Sequence, residues 1–271
     1  AAPDEVIILT SFHQSPLPLA MLLRLIGVPR IIGASVDYAG SLLDVRLRPG
    51  EDFPESQSEV ARNLAVAEAA GFELPHGDDG RLAITTGPMD GPFPSSGGYV
   101  VVHPGAAVSA RRWPAWRHSQ AVRMLTEAGV AVVVTGDAGE RSLTRFVADG
   151  FAVDLGGRTD LPRLAAVLAG ADAVVVGNTG AAHLAAAVGT PVVSLFAPVV
   201  DERCWRPFGV PTVVLGRVDA PCAGSRARTC PVPGHPCLAD VGPEQVVDAV
   251  LAIRRNTARS AITPGAEAIP A

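Results

Sequence analysis

From residue 99 onward the sequence alternates between two kinds of segment at near-regular intervals. Short β-branched runs occur at 99–103, 130–135, 151–155, 173–176, 192–196 and 212–215. Helical patterns lie between them at 116–128, 139–148, 161–169 and 180–188, and a last helix is expected at 243–255. Strands that alternate with helices of this length pair in parallel, because each crossover helix returns the chain to the same edge of the sheet. The spacing therefore predicts an α/β domain, with six strands completing a Rossmann-like sheet. The nearly uncharged stretch 167–200 is not read as a membrane span: Asp172, Asn178 and His183 fall inside it, and turns at Gly177-Asn178 and Gly189-Thr190-Pro191 break it. No piece reaches the ~20 unbroken apolar residues that a spanning helix needs.

Before residue 99 the pattern is sparser. Strands are expected at 6–10 and 30–34 with a helix at 17–26 between them, stopped by Gly27 and Pro29. A second amphipathic helix at 56–70 closes on Gly71, and 82–85 reads as a further strand. Residues 87–98 hold four glycines and three prolines, which leave little room for regular structure. The expected organisation is a partial N-terminal Rossmann-like domain over 1–90, a linker at 91–98, a second domain over 99–257 and a frayed tail at 258–271. The first domain has too few strands to be complete, and the chain opens without methionine, so an upstream segment is expected. A length of 271 residues fits two domains, and 48% hydrophobic with 18% charged residues can bury real cores. A net charge of -5 argues against a nucleic-acid partner. All 22 basic residues are arginine, so any site that ordinarily uses lysine must use arginine here.

Three loops that each follow a strand carry the chemistry. In the first, Gly177-Asn178-Thr179-Gly180-Ala181 turns a strand into an alanine-rich helix. Free N–H groups at a helix start, with the positive end of the dipole, can cradle a phosphate; Thr179 adds a hydroxyl, and His183 lies one turn further in. By itself this is equally an ordinary strand-to-helix turn capped by Asn178 and Thr179. In the second loop, His103-Pro104-Gly105-Ala106-Ala107 precedes Arg111 and Arg112, a guanidinium pair able to stabilise a departing diphosphate or simply a solvated basic turn. In the third, Thr135-Gly136-Asp137-Ala138-Gly139-Glu140 lacks the G-x-G-x-x-G fingerprint of a dinucleotide site. Glu140 can bind ribose hydroxyls or merely complement the helix dipole. In an open α/β sheet, loops at the carboxyl ends of strands line one crevice, and that convergence raises the functional alternative for all three.

Cys222, Cys230 and Cys237 cluster with His235. The spacing contains no C-x-x-C pair, so a zinc site has low weight against a reduced, loop-stabilising cluster, and no metal is assigned. Cys204 reads as a packed thiol, and Trp113 and Trp116 as packing groups. His13 and Gln14, after the first strand, are candidates for lining an acceptor site.

The order HPGA…RRWP, then GDAGE, then GNTGAAHLAAAVGTPVVSLFAP resembles glycosyltransferase family nine, the ADP-heptose:lipopolysaccharide heptosyltransferases and their relatives. SFHQSP at 11–16 also looks like the family. The resemblance implies a GT-B architecture, with two Rossmann-like domains facing across a cleft and the second holding the donor. It puts Gly105, Ala106, Arg111, Glu140, Asn178, Thr179, Gly180, Ala181 and His183 at the donor, with Arg111 where the family commonly has a phosphate-binding lysine. Glu140 would meet the ribose, and Asn178 replaces a common aspartate at the sugar. The glycine-aspartate segment that supplies the family's general base has no match in this chain and is expected upstream. D-x-D is absent as well, in keeping with a metal-free leaving-group strategy without cofactor.

The implied function is inverting transfer of a sugar, heptose above all, from a nucleotide-activated donor to a glycan or lipid-linked acceptor. The expected location is cytoplasmic. A lipid-linked acceptor leaves room for peripheral membrane association, although no amphipathic basic helix is evident. Two alternatives stand beside it: a truncated or degenerate half that binds nucleotide-sugar without turnover, and a sugar-nucleotide epimerase, for which no carboxylate pair is visible. A dehydrogenase fits least, given the missing fingerprint.

Overall fold

The computed structural model describes residues 3–11, 14–87 and 98–262. The chain separates into two compact units, Ala1–Arg81 with Arg203–Trp205, and Leu82–Glu202 with Arg206–Ala271.

The first unit carries β1 (Glu5–Ile8), α1 (Leu17–Leu25), β2 (Arg30–Ala34), β3 (Val45–Leu47) and α2 (Glu59–Ala69). Its three strands pair in parallel in the order β1-β2-β3. Alternate residues of β2 face opposite sides, so Ile31 packs with Ala20 and Val28 while Ile32 packs with Val66 and Phe53. Asp44 fixes the entry to β3: its Oδ2 accepts from the Ile31 N–H at 2.7 Å and pairs with Arg24. Residues 82–85, expected as a strand, form no ladder. β-propensity is expressed only where an edge supplies packing and partners, and the third strand is instead Val45–Leu47, which arginines 46 and 48 disguise in the sequence. Cys204, on a short helix Glu202–Trp205 (α7), is buried and its Sγ donates to the Glu55 carbonyl at 3.7 Å.

The second unit holds β4 (Tyr99–His103), α3 (Ala115–Glu127), β5 (Ala131–Val134), α4 (Arg141–Ala148), β6 (Val153–Asp154), α5 (Leu161–Ala169), β7 (Ala173–Gly177), α6 (Gly180–Ala187), β8 (Val192–Leu195), β9 (Thr212–Leu215), α8 (Pro236–Ala239) and α9 (Pro243–Ile262). The six strands are all parallel, in the order β6-β5-β4-β7-β8-β9. The strand expected at 151–155 shortens to Val153–Asp154. The last helix runs on to Ile262 rather than fraying at 258, and the tail beyond it, like 88–97 of the expected linker region, lies outside the described residues.

Valine-rich strands suit this sheet because both faces are covered. Val100, Val102, Val132 and Val134 pack on one side against α3, α4 and α9, through Val122, Leu125, Val147 and Val250. Tyr99, Val101, Val133, Val174 and Val176 point the other way, onto α5 and α6 through Leu168, Ala182 and Ala185. Alanines on α6 let that helix lie close to the strands. Trp113 is buried and its indole N–H donates to the Val241 carbonyl at 3.1 Å, so this tryptophan packs. Among the described residues no helix is long and apolar enough to cross a membrane.

His118 on α3 is fully enclosed, edge-on to Trp113 with ring centroids 4.6 Å apart. Burial, reinforced by the charge of His103, pushes its pKa down from 6.5 to about 3. It is neutral in the folded chain but protonated in the unfolded chain below pH 6.5, so the unfolded state binds more protons and stability falls as pH drops. At ~1.4 kcal/mol per pH unit, His118 alone is expected to remove about 2 kcal/mol between pH 6.5 and pH 5. Urea melts of the wild-type chain and of His118→Gln test this: the variant's profile should be flatter over that range whatever its absolute stability, and parallel profiles would contradict it.

Candidate functional site

β4, β5 and β6 are laid down in one direction across the second sheet and β7, β8 and β9 in the other, so the strand order reverses between β4 and β7. Loops leaving the carboxyl ends of those two strands diverge, and ligands of open α/β sheets bind in the crevice this creates. A cavity of about 310 Å³ lies there, bordered by Gly105, Ala106, Glu140, Thr179, Gly180 and Ala181 from the expected set.

Glu140 owes its place to two local features. The turn 138–140 is a 3₁₀ helix closed by a capping box: Glu140 Oε2 accepts from the Asp137 N–H at 3.0 Å, and Asp137 Oδ1 accepts from the Gly139 N–H at 2.7 Å. Across the gap, a β-carbon on Gly105 would fall 2.0 Å from Glu140 Oε1, so only glycine lets the carboxylate reach the loop after β4.

On the opposite side, Thr179 occupies the N-cap of α6 in extended conformation, yet its side chain makes no capping bond. Its Oγ1 is buried and has no partner among the described residues. A β-carbon on Gly180 would meet nothing within 4 Å, so the first turn of α6 opens into free space. An orphaned hydroxyl beside uncovered helix amides is suited to an anion.

Arg111 ends a 3₁₀ turn, Ser109–Arg111, and does not line the cavity but braces its far wall: Nη1 donates to the Asn178 carbonyl at 3.1 Å. Gly177 permits this approach, since a β-carbon there would stand 3.0 Å from the Arg111 carbonyl oxygen. The Arg111 Nε is buried without a partner among the described residues. Burial first, then the positive charge of Arg228, holds the guanidinium pKa below its ordinary value. His183, one turn into α6, likewise has its pKa lowered from the ordinary value, by burial first and then by the positive charge of Arg111. Removing that cation in Arg111→Gln should raise the His183 pKa toward the ordinary 6.5, measurable from imidazole chemical shifts; an unmoved titration would contradict the coupling.

Several expected residues lie elsewhere. Asn178 is buried and turned away from the cavity: its amide donates to the Ala197 carbonyl and accepts from the Ala197 N–H, both at 3.4 Å. Its side chain is therefore engaged with backbone rather than with the residues that border the cavity. Arg112 does not pair with Arg111 toward an anion; its Nε donates to the Ala106 carbonyl at 2.7 Å and pins the loop after β4. In the first unit, Gln14 is exposed and its Oε1 accepts from the Ser11 N–H at 3.3 Å, while His13 lies outside the described residues.

The cysteines and His235, given low weight as a metal cluster, make other contacts. Cys222 and Cys237 are buried in the main core, Cys230 Sγ donates to the Val232 carbonyl at 3.4 Å, and His235 Nε2 donates to the Ala110 carbonyl at 3.0 Å. Among the described residues no group of three or more His, Cys, Asp or Glu side chains is placed to hold a metal ion. Burial, with Cys222 and Cys230 nearby, pushes the Cys237 thiol up to about 11, as befits an inert packed thiol.

Other residues outside the expected donor set also border the cavity. His103 ends β4 with Nδ1 3.0 Å from Thr135 Oγ1, and burial lowers its pKa. Thr159, Asp160, Leu161 and Leu164 complete the wall beside Glu140. Asp160 caps α5, accepting from the Arg163 N–H at 2.9 Å. That T-D-L-P start was a legible signal, an N-cap followed by proline at the carboxyl edge of the same sheet.

Residues 7–235 match the sequence profile of Glycosyltransferase family 9 (heptosyltransferase). The chain is 32% identical over 227 residues to Lipopolysaccharide heptosyltransferase 1 of Pseudomonas aeruginosa, covering 80% of this chain and 61% of that protein. It is 26% identical over 153 residues to Lipooligosaccharide heptosyltransferase 2 of Haemophilus influenzae, covering 54% of this chain and 44% of the relative. The chain thus spans about half the length of these curated relatives. In three dimensions it resembles the Escherichia coli ADP-heptose lipopolysaccharide heptosyltransferase II, with a TM-score of 0.70 at 22% identity over 94% of this chain and 77% of that one. The fold is accordingly α/β of the GT-B type. A match over most of the length and a sheet whose reversal point carries the GNTGAAH turn lead to one conclusion: the chain belongs to glycosyltransferase family 9.

Proposed function

We propose that the second unit binds the nucleoside diphosphate of an activated sugar, ADP-heptose or a close analogue, for transfer to a glycan or lipid-linked acceptor. One observation carries this assignment. A carboxylate held open by Gly105 and an unpartnered hydroxyl beside bare helix amides border one cavity. A ribose, rich in donors, suits the first, and a diphosphate, rich in acceptors, suits the second. Leu161 and Leu164 offer apolar surface to a nucleobase. The solved structure it resembles is named as an ADP-heptose lipopolysaccharide heptosyltransferase.

The acceptor hydroxyl attacks the anomeric carbon on the face opposite the diphosphate, so the configuration inverts as the glycosidic bond breaks. Charge then accumulates on the leaving phosphate, where Thr179 and the α6 amides, with the positive charge of Arg111 behind them, stabilise it more strongly than they do the ground state. The proton of the attacking hydroxyl passes to a base that no residue of this chain is assigned to provide.

Calorimetric titration with ADP, UDP and ADP-heptose tests the assignment. Saturable binding of ADP-heptose and ADP, with UDP weaker by about tenfold or ~1.4 kcal/mol, is expected. A chain that binds none of the three would overturn it.

A further inference from the structure

The loop between β9 and α8 has no role in the site described so far, yet it is tied to the turn that carries Arg111. The Arg228 carbonyl accepts from the Ala110 N–H at 3.1 Å and from the Ser109 hydroxyl at 3.0 Å. His235, further along the loop, donates through Nε2 to the Ala110 carbonyl at 3.0 Å. Three hydrogen bonds thus fix this loop to the two residues immediately before Arg111.

The tie brings together two like charges. Arg228 lies close enough for its charge to depress the Arg111 pKa, second only to burial. The Arg228 side chain is exposed and, among the described residues, forms no ion pair. Among the described residues no carboxylate pairs with Arg111 either. Two guanidinium groups held together by backbone bonds repel one another, and a bound dianion turns that repulsion into attraction. The Arg111 Nε and the Thr179 hydroxyl, both buried and unpartnered among the described residues, belong to the same neighbourhood, because Arg111 reaches the Asn178 carbonyl one residue before Thr179.

We propose that Arg228 is a second cation for the donor diphosphate, acting together with Arg111, to whose turn its backbone is tied. The proposal rests on the donor assignment above. It takes the role that adjacency in sequence had given to Arg112, whose guanidinium is bonded to the loop after β4. A sugar nucleotide gains one negative charge on its diphosphate when the glycosidic bond breaks, so a second cation binds the leaving nucleotide more tightly than the intact donor.

The test compares the wild-type chain with Arg228→Gln and Arg228→Lys, titrated with ADP and with adenosine at two ionic strengths. The ties to the turn use the Arg228 carbonyl, not its side chain, so both variants should melt as the wild type does. Arg228→Gln is expected to weaken ADP about tenfold while leaving adenosine unchanged, with a shallower salt dependence; Arg228→Lys should recover most of the loss. Equal ADP affinity in wild type and Arg228→Gln overturns the role of Arg228 alone. So does a parallel loss of ADP and adenosine, which would mark a structural effect. Failure of the wild-type chain to bind ADP overturns the donor assignment itself, and this proposal with it.

Discussion

Arg111→Gln is expected to weaken ADP binding about a hundredfold, or ~2.7 kcal/mol, while moving the thermal midpoint by no more than a few degrees. The two effects separate because of what surrounds the side chain. Its protein contribution is one hydrogen bond to the Asn178 carbonyl, of order 1 kcal/mol. Against that stand a buried Nε with no partner among the described residues and the repulsion from Arg228, both of which the substitution relieves. Stability therefore changes little. A bound diphosphate, by contrast, loses the field of a partly buried cation behind the cavity wall, and a charge in such surroundings is screened far less than an exposed one. Titration calorimetry and a thermal melt on the same preparation check both halves. Undiminished ADP affinity would remove Arg111 from the site, and a collapse of the melt would make it structural.

Gly180→Val should abolish measurable ADP binding, a loss of more than about a hundredfold, in a chain that folds normally. A β-carbon at Gly180 meets nothing within 4 Å, and its backbone is not in the left-handed region, so the folded protein has room for the side chain. Replacing glycine also lowers the entropy of the unfolded chain, which offsets the modest helix cost of a β-branched residue. The space filled is the cavity itself, over the first amides of α6. Gly216 shows the opposite case: φ is 137° and a β-carbon would lie 2.4 Å from the Phe196 carbonyl oxygen, so its glycine serves the fold. A folded Gly180→Val variant that still binds ADP with wild-type affinity would place the diphosphate elsewhere.

The second sheet was readable from sequence because its strands are valine runs buried on both faces and its helices start and stop at strong signals. The three-residue β3 was hidden by alternating arginines, and residues 82–85 had the composition of a strand without an edge to join. Within the site, the glycine-bearing loops drew attention to Gly105, Glu140, Thr179 and Gly180, and all four border one cavity. Adjacency misled at two positions. Arg112 has extended backbone angles, φ −91° and ψ 123°, and its side chain departs from that of Arg111 toward the Ala106 carbonyl. Asn178 sits between two residues of the cradle but points into the protein, where its amide can both donate to and accept from Ala197; a carboxylate could only accept. Arg228 follows Arg111 by more than a hundred residues, and only the loop's hydrogen bonds to Ser109 and Ala110 bring it near.

Crystals of the chain grown with saturating ADP test the central assignment most directly. The diphosphate is expected against the amides of Gly180 and Ala181 and the Thr179 hydroxyl, with the ribose hydroxyls on Glu140. Ordered ADP at any other surface, or a cavity empty of nucleotide while the protein in solution binds it, would contradict that placement.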